Sequence, residues 1–239
     1  MQTSVVIPAY EEAARLGGTL ERVLAYFEHR GGRPGKDFEV LVVDDGSPDA
    51  TAALAETYAA RGVRVLRLPE NRGKGAALRA GVLASRGRRV LLTDADLSTP
   101  IADLERLEPH LAEAPVVIGS RAVAGAELVR RQPLYRELMG KTFNKIVRLL
   151  AVRGLRDTQC GFKLLDGELA RSLFADLTVD RFAYDVELLW LARRRGHRVD
   201  EVGVRWENSP QSRVSPVRDS LRMLADVVKL RWRHRGEGR

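Results

Sequence analysis

An open α/β fold, a mostly parallel sheet with helices on both faces, is predicted by three features of the chain. Short, continuously apolar runs alternate with segments whose apolar residues recur at helical spacing. The polar residues gather directly after the apolar runs rather than inside them. The 239 residues, 44% hydrophobic and 30% charged, suffice for a sizeable core and exclude bulk disorder.

The elements follow in order. Val5-Val6-Ile7 is a first strand that stops at Pro8, and Leu16, Leu20, Val23, Leu24 and Phe27 then share one helical face. Val40 to Val43 is a second strand, closed by Asp44-Asp45-Gly46. Ser47 followed by Pro48 reads as a helix N-cap with proline at the first helical position. Val63 to Leu68 is a third strand. The turn Asn71-Arg72-Gly73-Lys74-Gly75 leads into an alanine-rich helix ending near Ser85. Val90-Leu91-Leu92 runs into Asp94-Ala95-Asp96, and Val116-Val117-Ile118 into Gly119-Ser120-Arg121. Strands this uniformly apolar are expected to be covered on both faces.

Beyond Arg121 the alternation stops. Leu134, Leu138, Phe143, Ile146, Val147 and Leu150 make a helical stripe, and Tyr184 to Ala192 a second apolar helix containing Asp185 and Glu187. The tail from Val217 to Trp232 is amphipathic and basic. Its stripe of Val217, Leu221, Leu224, Val228 and Trp232 is expected either to pack on the domain or to lie in a membrane interface. The chain is therefore divided into a ligand-binding half, 1–121, and an extension, 122–239, on one continuous domain.

Open α/β sheets bind ligands beyond the carboxyl ends of their strands, where the strand order reverses. An order 3-2-1-4 sets Pro8-Ala9-Tyr10-Glu11-Glu12, Asp44-Asp45 and Asp94-Ala95-Asp96 side by side on one rim. Asp94 and Asp96 repel each other unless a cation sits between them, and oxygen ligands suit Mg²⁺ or Mn²⁺. A carboxylate after the second strand can accept hydrogen bonds from a nucleobase or ribose. Lys74, on a glycine turn before a helix, and Arg121, at a strand end, are phosphate candidates. No Walker A sequence is present, and the glycine turn does not follow the first strand as a dinucleotide fingerprint would.

The charge balance is 40 Lys+Arg against 32 Asp+Glu, a net +8. Six of the 40 are lysines, leaving 34 arginines, so an anionic partner is expected. Aromatics at 6% are too few for a nucleic-acid surface interleaving rings with basic residues. Cys160 is the one cysteine and reads as a core residue in a reducing compartment. His29, His110, His197 and His234 show no metal-ligand spacing. No run reaches the length of a membrane span, and acids follow too soon after the N-terminus for a signal peptide.

Val5 to Glu12, Val43-Asp44-Asp45-Gly46-Ser47 and Asp94-Ala95-Asp96 resemble the signature of family 2 glycosyltransferases with the Rossmann-like GT-A fold. Gly154 to Lys163 (GLRDTQCGFK) and Arg181 to Leu189 (RFAYDVELL) are similar to the dolichyl-phosphate β-glucosyltransferase branch. The resemblance implies an inverting transfer of a hexose, glucose from UDP-glucose, onto a polyprenyl or dolichyl phosphate. GDP-mannose is the rival donor, and a soluble hydroxyl the rival acceptor. It implies that Pro8, Ala9, Tyr10, Glu12 and Asp44 or Asp45 hold the nucleoside, and that Asp94 and Asp96 hold the metal and diphosphate. Arg121 and Arg131 would meet the acceptor phosphate, with Lys74, Asp157, Gln159 and Asp185 also touching substrate. An ionised phosphate needs no general base; were one used, Asp157 and Asp185 are the candidates. The expected setting is the cytoplasmic face of a membrane, peripherally bound, with no nucleic-acid partner. A non-catalytic nucleotide-sugar sensor remains open, and would tolerate loss of Asp96.

Overall fold

The structure, a computed structural model, describes residues 1–130, 151–152, 154–207 and 216–234. Its strands are β1 (Thr3–Ala9), β2 (Phe38–Asp44), β3 (Val63–Arg67), β4 (Arg89–Leu92), β5 (Val116–Ser120), β6 (Glu127–Arg130), β7 (Lys163–Asp166), β8 (Val199–Gly203) and β9 (Arg205–Glu207). Its helices are α1 (Ala13–His29), α2 (Thr51–Glu56), α3 (Lys74–Ala84), α4 (Leu104–Leu107), α5 (Gly167–Ala175), α6 (Tyr184–Arg194) and α7 (Pro216–Arg233).

The main sheet runs β3-β2-β1-β4-β7-β5-β8. The expected order 3-2-1-4 is found, all four strands parallel. The fifth strand stands apart from these four. It does not join β4, because β7 inserts antiparallel between β4 and β5. The run Phe162 to Leu165 is apolar enough to be covered on both sides, and it closes the gap with a returning strand. β8 then extends the sheet parallel to β5, while β6 and β9 form a separate parallel ribbon.

Both faces are buried. Along β1, Val5 and Ile7 enter one cluster with Val40, Val42 and Leu91, and Val6 enters the other with Val43, Leu92 and Leu165. Helix α1 buries its whole predicted stripe, Leu16, Leu20, Val23, Leu24 and Phe27, against the first cluster. Each such side chain contributes roughly 1.5–3 kcal/mol of burial.

One local expectation fails. Ser47 does not cap a helix: α2 begins at Thr51, whose amide donates to Asp49 Oδ1 at 3.0 Å, while Ser47 Oγ accepts from the Glu11 amide at 2.9 Å. In the tail helix the stripe divides between its two expected fates, with Leu224 packed against the core and its outer end not. Met223, Val227 and Leu230 are buried, whereas Val228 and Trp232 are exposed. The predicted stripe from Leu134 to Leu150 lies outside the described residues.

Candidate active site

Register places the acids on one rim. Ala9 is level with Asp44, and Val6 with Leu92, so Asp94 emerges beside Pro8. This is the point at which strand order reverses between β1 and β4. Among the described residues, two non-glycine residues adopt left-handed backbone, Glu11 (φ 51°) after β1 and Leu97 (φ 45°) after Asp96. Strain of this kind collects at functional sites because the surroundings hold it there.

Asp44 is fully buried. Its Oδ1 accepts from the Ser47 amide at 3.3 Å, while Oδ2 has no hydrogen-bond partner and the Arg67 Nε stands 3.5 Å away. A crevice of about 380 Å³ opens alongside, lined by Gly46, Ser47, Arg67, Leu68 and Pro69. A buried acceptor left open beside a crevice is costly unless a ligand supplies a donor.

Asp45, named with Asp44 as a candidate for the nucleoside, is engaged by the backbone. Its two oxygens accept from the amides of Arg72 (2.9 Å) and Gly73 (2.8 Å), and its own amide donates to the Ala9 carbonyl at 2.8 Å. It ties the glycine turn to the strand ends, and burial pushes its carboxyl up from the usual range. Gly73 has φ +113°, and a Cβ there would strike the Asp180 carbonyl, which explains the glycine that starts α3.

That turn aims Lys74 at Asp94, with Nζ 2.5 Å from Oδ1. Burial works against the Asp94 charge, but Lys74 overrides it and holds the carboxyl below the usual range. Asp96 Oδ1 accepts from the Ser98 amide at 2.9 Å, and Oδ2 lies 4.0 Å from Arg15 Nη1. Arg15 is itself gripped by Glu12. Thr19, on the inner face of α1, donates to the Ala95 carbonyl at 2.6 Å and pins the loop between the two acids. Pro8, Ala9 and Tyr10 occupy the same rim, with Ala9 buried and Tyr10 partly exposed.

The donor set fits a divalent cation. Asp94 and Asp96 are hard-oxygen ligands at one strand end, both still reachable by solvent, with Lys74 beside the first and Arg15 beside the second. No group of three or more His, Cys, Asp or Glu gathers for a metal among the described residues. Phosphate oxygens and water would have to complete the shell. Gly161 permits this geometry, because a Cβ there would strike the Asp94 carboxylate.

Further along the same rim, Arg121 leaves β5, within electrostatic reach of Asp94, and is clamped by Asp157. Nε donates to Oδ2 at 2.7 Å, Nη2 to Oδ1 at 2.9 Å, and the Arg121 amide to Oδ2 at 3.0 Å. Burial opposes the Asp157 charge, yet Arg121 prevails and holds the carboxyl at about 2. The guanidinium also lies over the Trp206 ring, 5.3 Å from its centroid. Glu201 braces this loop, accepting from Ser120 Oγ (2.7 Å) and the amides of Asp157 (2.6 Å) and Arg156 (2.8 Å). The Gln159 amide donates to Asp157 Oδ1 at 3.3 Å, and its side chain meets Met223 Sδ at 3.8 Å. Asp185 is paired with the wholly buried Lys163, which also donates to the Cys160 carbonyl.

Asp157 and Asp185, the two candidates were a base used, are each already paired with a cation, Arg121 and Lys163. Arg131 lies outside the described residues. Lys163, Thr19, Glu201 and Trp206 were not singled out as functional residues. Only Lys163 carried a signal, a lone charge inside an apolar strand with acids inside an apolar helix downstream.

Residues 4–174 match the model of Glycosyl transferase family 2. The chain is 41% identical to a dolichyl-phosphate beta-glucosyltransferase of Drosophila melanogaster, covering 96% of this chain and 74% of that protein. It is 39% identical to the dolichyl-phosphate beta-glucosyltransferase of Homo sapiens, covering 98% and 76%. Among solved structures it resembles glucosyl-3-phosphoglycerate synthase from Mycobacterium tuberculosis in complex with UDP (TM-score 0.65, 21% identity, 97% of this chain and 79% of that one). It also resembles a mannosyltransferase from Pyrobaculum calidifontis in complex with GDP-Man and Mn²⁺ (TM-score 0.58, 19% identity, 97% and 71%). At these identities the two structures speak for the fold.

Proposed function

The chain belongs to glycosyl transferase family 2, and from that premise we propose that it is an inverting hexosyltransferase moving glucose from UDP-glucose onto a polyprenyl or dolichyl phosphate. One observation carries the choice of acceptor. The cation at the end of β5 is preorganised by Asp157, while both carboxylates near it are already consumed by cations. A sugar hydroxyl would need one of those acids free as a base, whereas a phosphate monoester is already an anion and needs positive charge. The relatives named for dolichyl phosphate support the same choice.

In this reading, Asp44 Oδ2 accepts an N–H of the nucleobase. One open oxygen suits the single ring N–H of uracil better than the paired donors of guanine. Asp94 and Asp96 would hold Mg²⁺ or Mn²⁺, which supplies Lewis-acid stabilisation of the departing diphosphate. Lys74 adds positive charge beside Asp94. Arg121 draws in the acceptor phosphate against its repulsion by the donor. A phosphate oxygen then bonds to the anomeric carbon from the face opposite the nucleotide as the carbon–oxygen bond to UDP breaks. No proton transfer is required. The acceptor is a lipid, so the protein works peripherally at the cytoplasmic face of a membrane. No helix among the described residues is long and apolar enough to cross one.

Thermal shift with UDP- and GDP-sugars plus Mn²⁺, paired with radiolabelled donor and either polyprenyl phosphate or free glycans, tests this. Selective stabilisation by UDP-glucose and label in the lipid fraction are expected. Label transferred to glycans alone would overturn the acceptor.

A further inference from the structure

Helix α7 packs with one face and displays another. Met223, Val227, Leu230 and His234 recur at i, i+4, i+7 and i+11 and are all buried. His234 Nε2 lies 2.7 Å from the buried Glu187 Oε1, which fastens the end of the helix to α6. Turned away from that face are Val228, 55% exposed, and Trp232, 65% exposed, one helical turn apart. Arg222, Lys229 and Arg233 are exposed beside them, and Arg233 reaches Asp226 at 3.2 Å.

A fixed helix exposing a tryptophan and a valine among cations has the chemistry of a bilayer interface. The ring and aliphatic carbons enter the acyl boundary while the cations meet anionic headgroups. The packed face carries a second clue. Met223 touches Gln159, whose amide bonds the same Asp157 that clamps Arg121. The ribbon holding Trp206 against Arg121 also exposes Leu128 (38%) and Val129 (68%). Apolar surface thus lies on the elements joined to the acceptor arginine, where a lipid phosphate would have to arrive.

We propose that the outer face of α7, centred on Val228 and Trp232 with Arg222 and Lys229, docks on an anionic bilayer and holds Arg121 toward lipid-borne phosphate. The orientation half of this statement rests on the acceptor reading above, and the docking half does not.

The test uses the full chain and two exposed-face variants, Val228→Asp/Trp232→Ala and Arg222→Glu/Lys229→Glu, each checked for a native circular dichroism spectrum. The wild type is expected to sediment with phosphatidylcholine vesicles containing phosphatidylglycerol and far less with phosphatidylcholine alone. Both variants should bind the anionic vesicles about tenfold more weakly or worse. Equal sedimentation of wild type and variants, or a wild type that stays in solution, overturns the proposal. In the second arm, the Val228→Asp/Trp232→Ala variant should match wild type on a short, water-soluble prenyl phosphate and fall behind on vesicle-embedded acceptor. Equal rates on the embedded acceptor overturn the orienting role. Absence of product with both acceptors removes the transfer reading instead, and sedimentation still decides docking.

Discussion

On the rim formed by β1, β2 and β4, the side chains of Asp94 and Asp96 are 36% and 19% exposed; Asp94 is paired with Lys74 and also feels Lys163 and Arg121, and Asp96 stands 4.0 Å from Arg15. Beyond β5 and β7, Asp157 and Asp185 are only 5% and 6% exposed and hold Arg121 and Lys163 in closed pairs. The first pair of acids can exchange partners when a more highly charged ligand arrives. The second cannot, since separating a buried pair strands a charge at a cost of about 3–5 kcal/mol. In the reading proposed above, this difference places the nucleotide and its metal in the first region. It leaves the second with an oriented guanidinium and no carboxylate base.

The sharpest way to break this contrast is Asp96→Ala. With partial exposure and one backbone hydrogen bond, the side chain contributes little packing, so circular dichroism and melting should stay near wild type. Turnover should drop by roughly three orders of magnitude, because the charge leaving with the nucleotide loses its stabilisation. Wild-type turnover would leave a metal-independent route.

Asp185→Asn tests the closed side. The Lys163 ammonium keeps a hydrogen bond but loses its counter-charge in a fully buried site. Urea unfolding should report a stability loss of about 3 kcal/mol. A loss well under 1 kcal/mol would show that the pair is not closed.

Next in size is Asp157→Asn, read through pH. The folded Asp157 carboxyl sits at about 2, below its ordinary range. Its contribution, on the order of 2 kcal/mol, is therefore complete above pH 4 and lost as pH falls toward 2. The stability gap between wild type and variant should be widest above pH 4 and narrow below it. A gap constant across that window would deny the coupling to Arg121. The same variant should raise KM for the lipid acceptor more than for the sugar donor, since Arg121 loses its orientation rather than its charge.

The smallest expected change is Gly161→Ala. The new methyl must displace the Asp94 carboxylate, so donor turnover should fall about tenfold at a stability cost of about 1 kcal/mol. A larger loss of stability with turnover intact would make Gly161 a packing residue only.

Much of the donor side was legible in the chain. Val5 to Ile7, Val40 to Val43 and Val90 to Leu92 are long enough, and apolar enough on both faces, to be parallel interior strands. Once their order is 3-2-1-4, Asp44, Asp94 and Pro8 share a rim by geometry. The partner of each acid was less legible. Asp45 and Asp44 are adjacent and chemically identical, yet one clamps the Arg72-Gly73 turn and the other keeps an oxygen without a hydrogen-bond partner. The cations that hold Asp157 and Asp185 lie 36 and 22 residues away in sequence. In α7 the predicted stripe is packed at Leu224 and exposed at Val228 and Trp232. The buried phase was chosen by Met223, Val227, Leu230 and the His234–Glu187 contact.

Local composition by itself determined the strands β1 to β5, the helices α1 and α3 and which chemistry crowds their ends. Backbone preference and hydrophobic period act over a few neighbouring residues, and the chain states both openly. Only tertiary structure decided the direction of β7, the partner of each acid and the rotation of α7. Those depend on which charges and methyl groups approach across tens or hundreds of residues, and nothing local to any one segment records that choice.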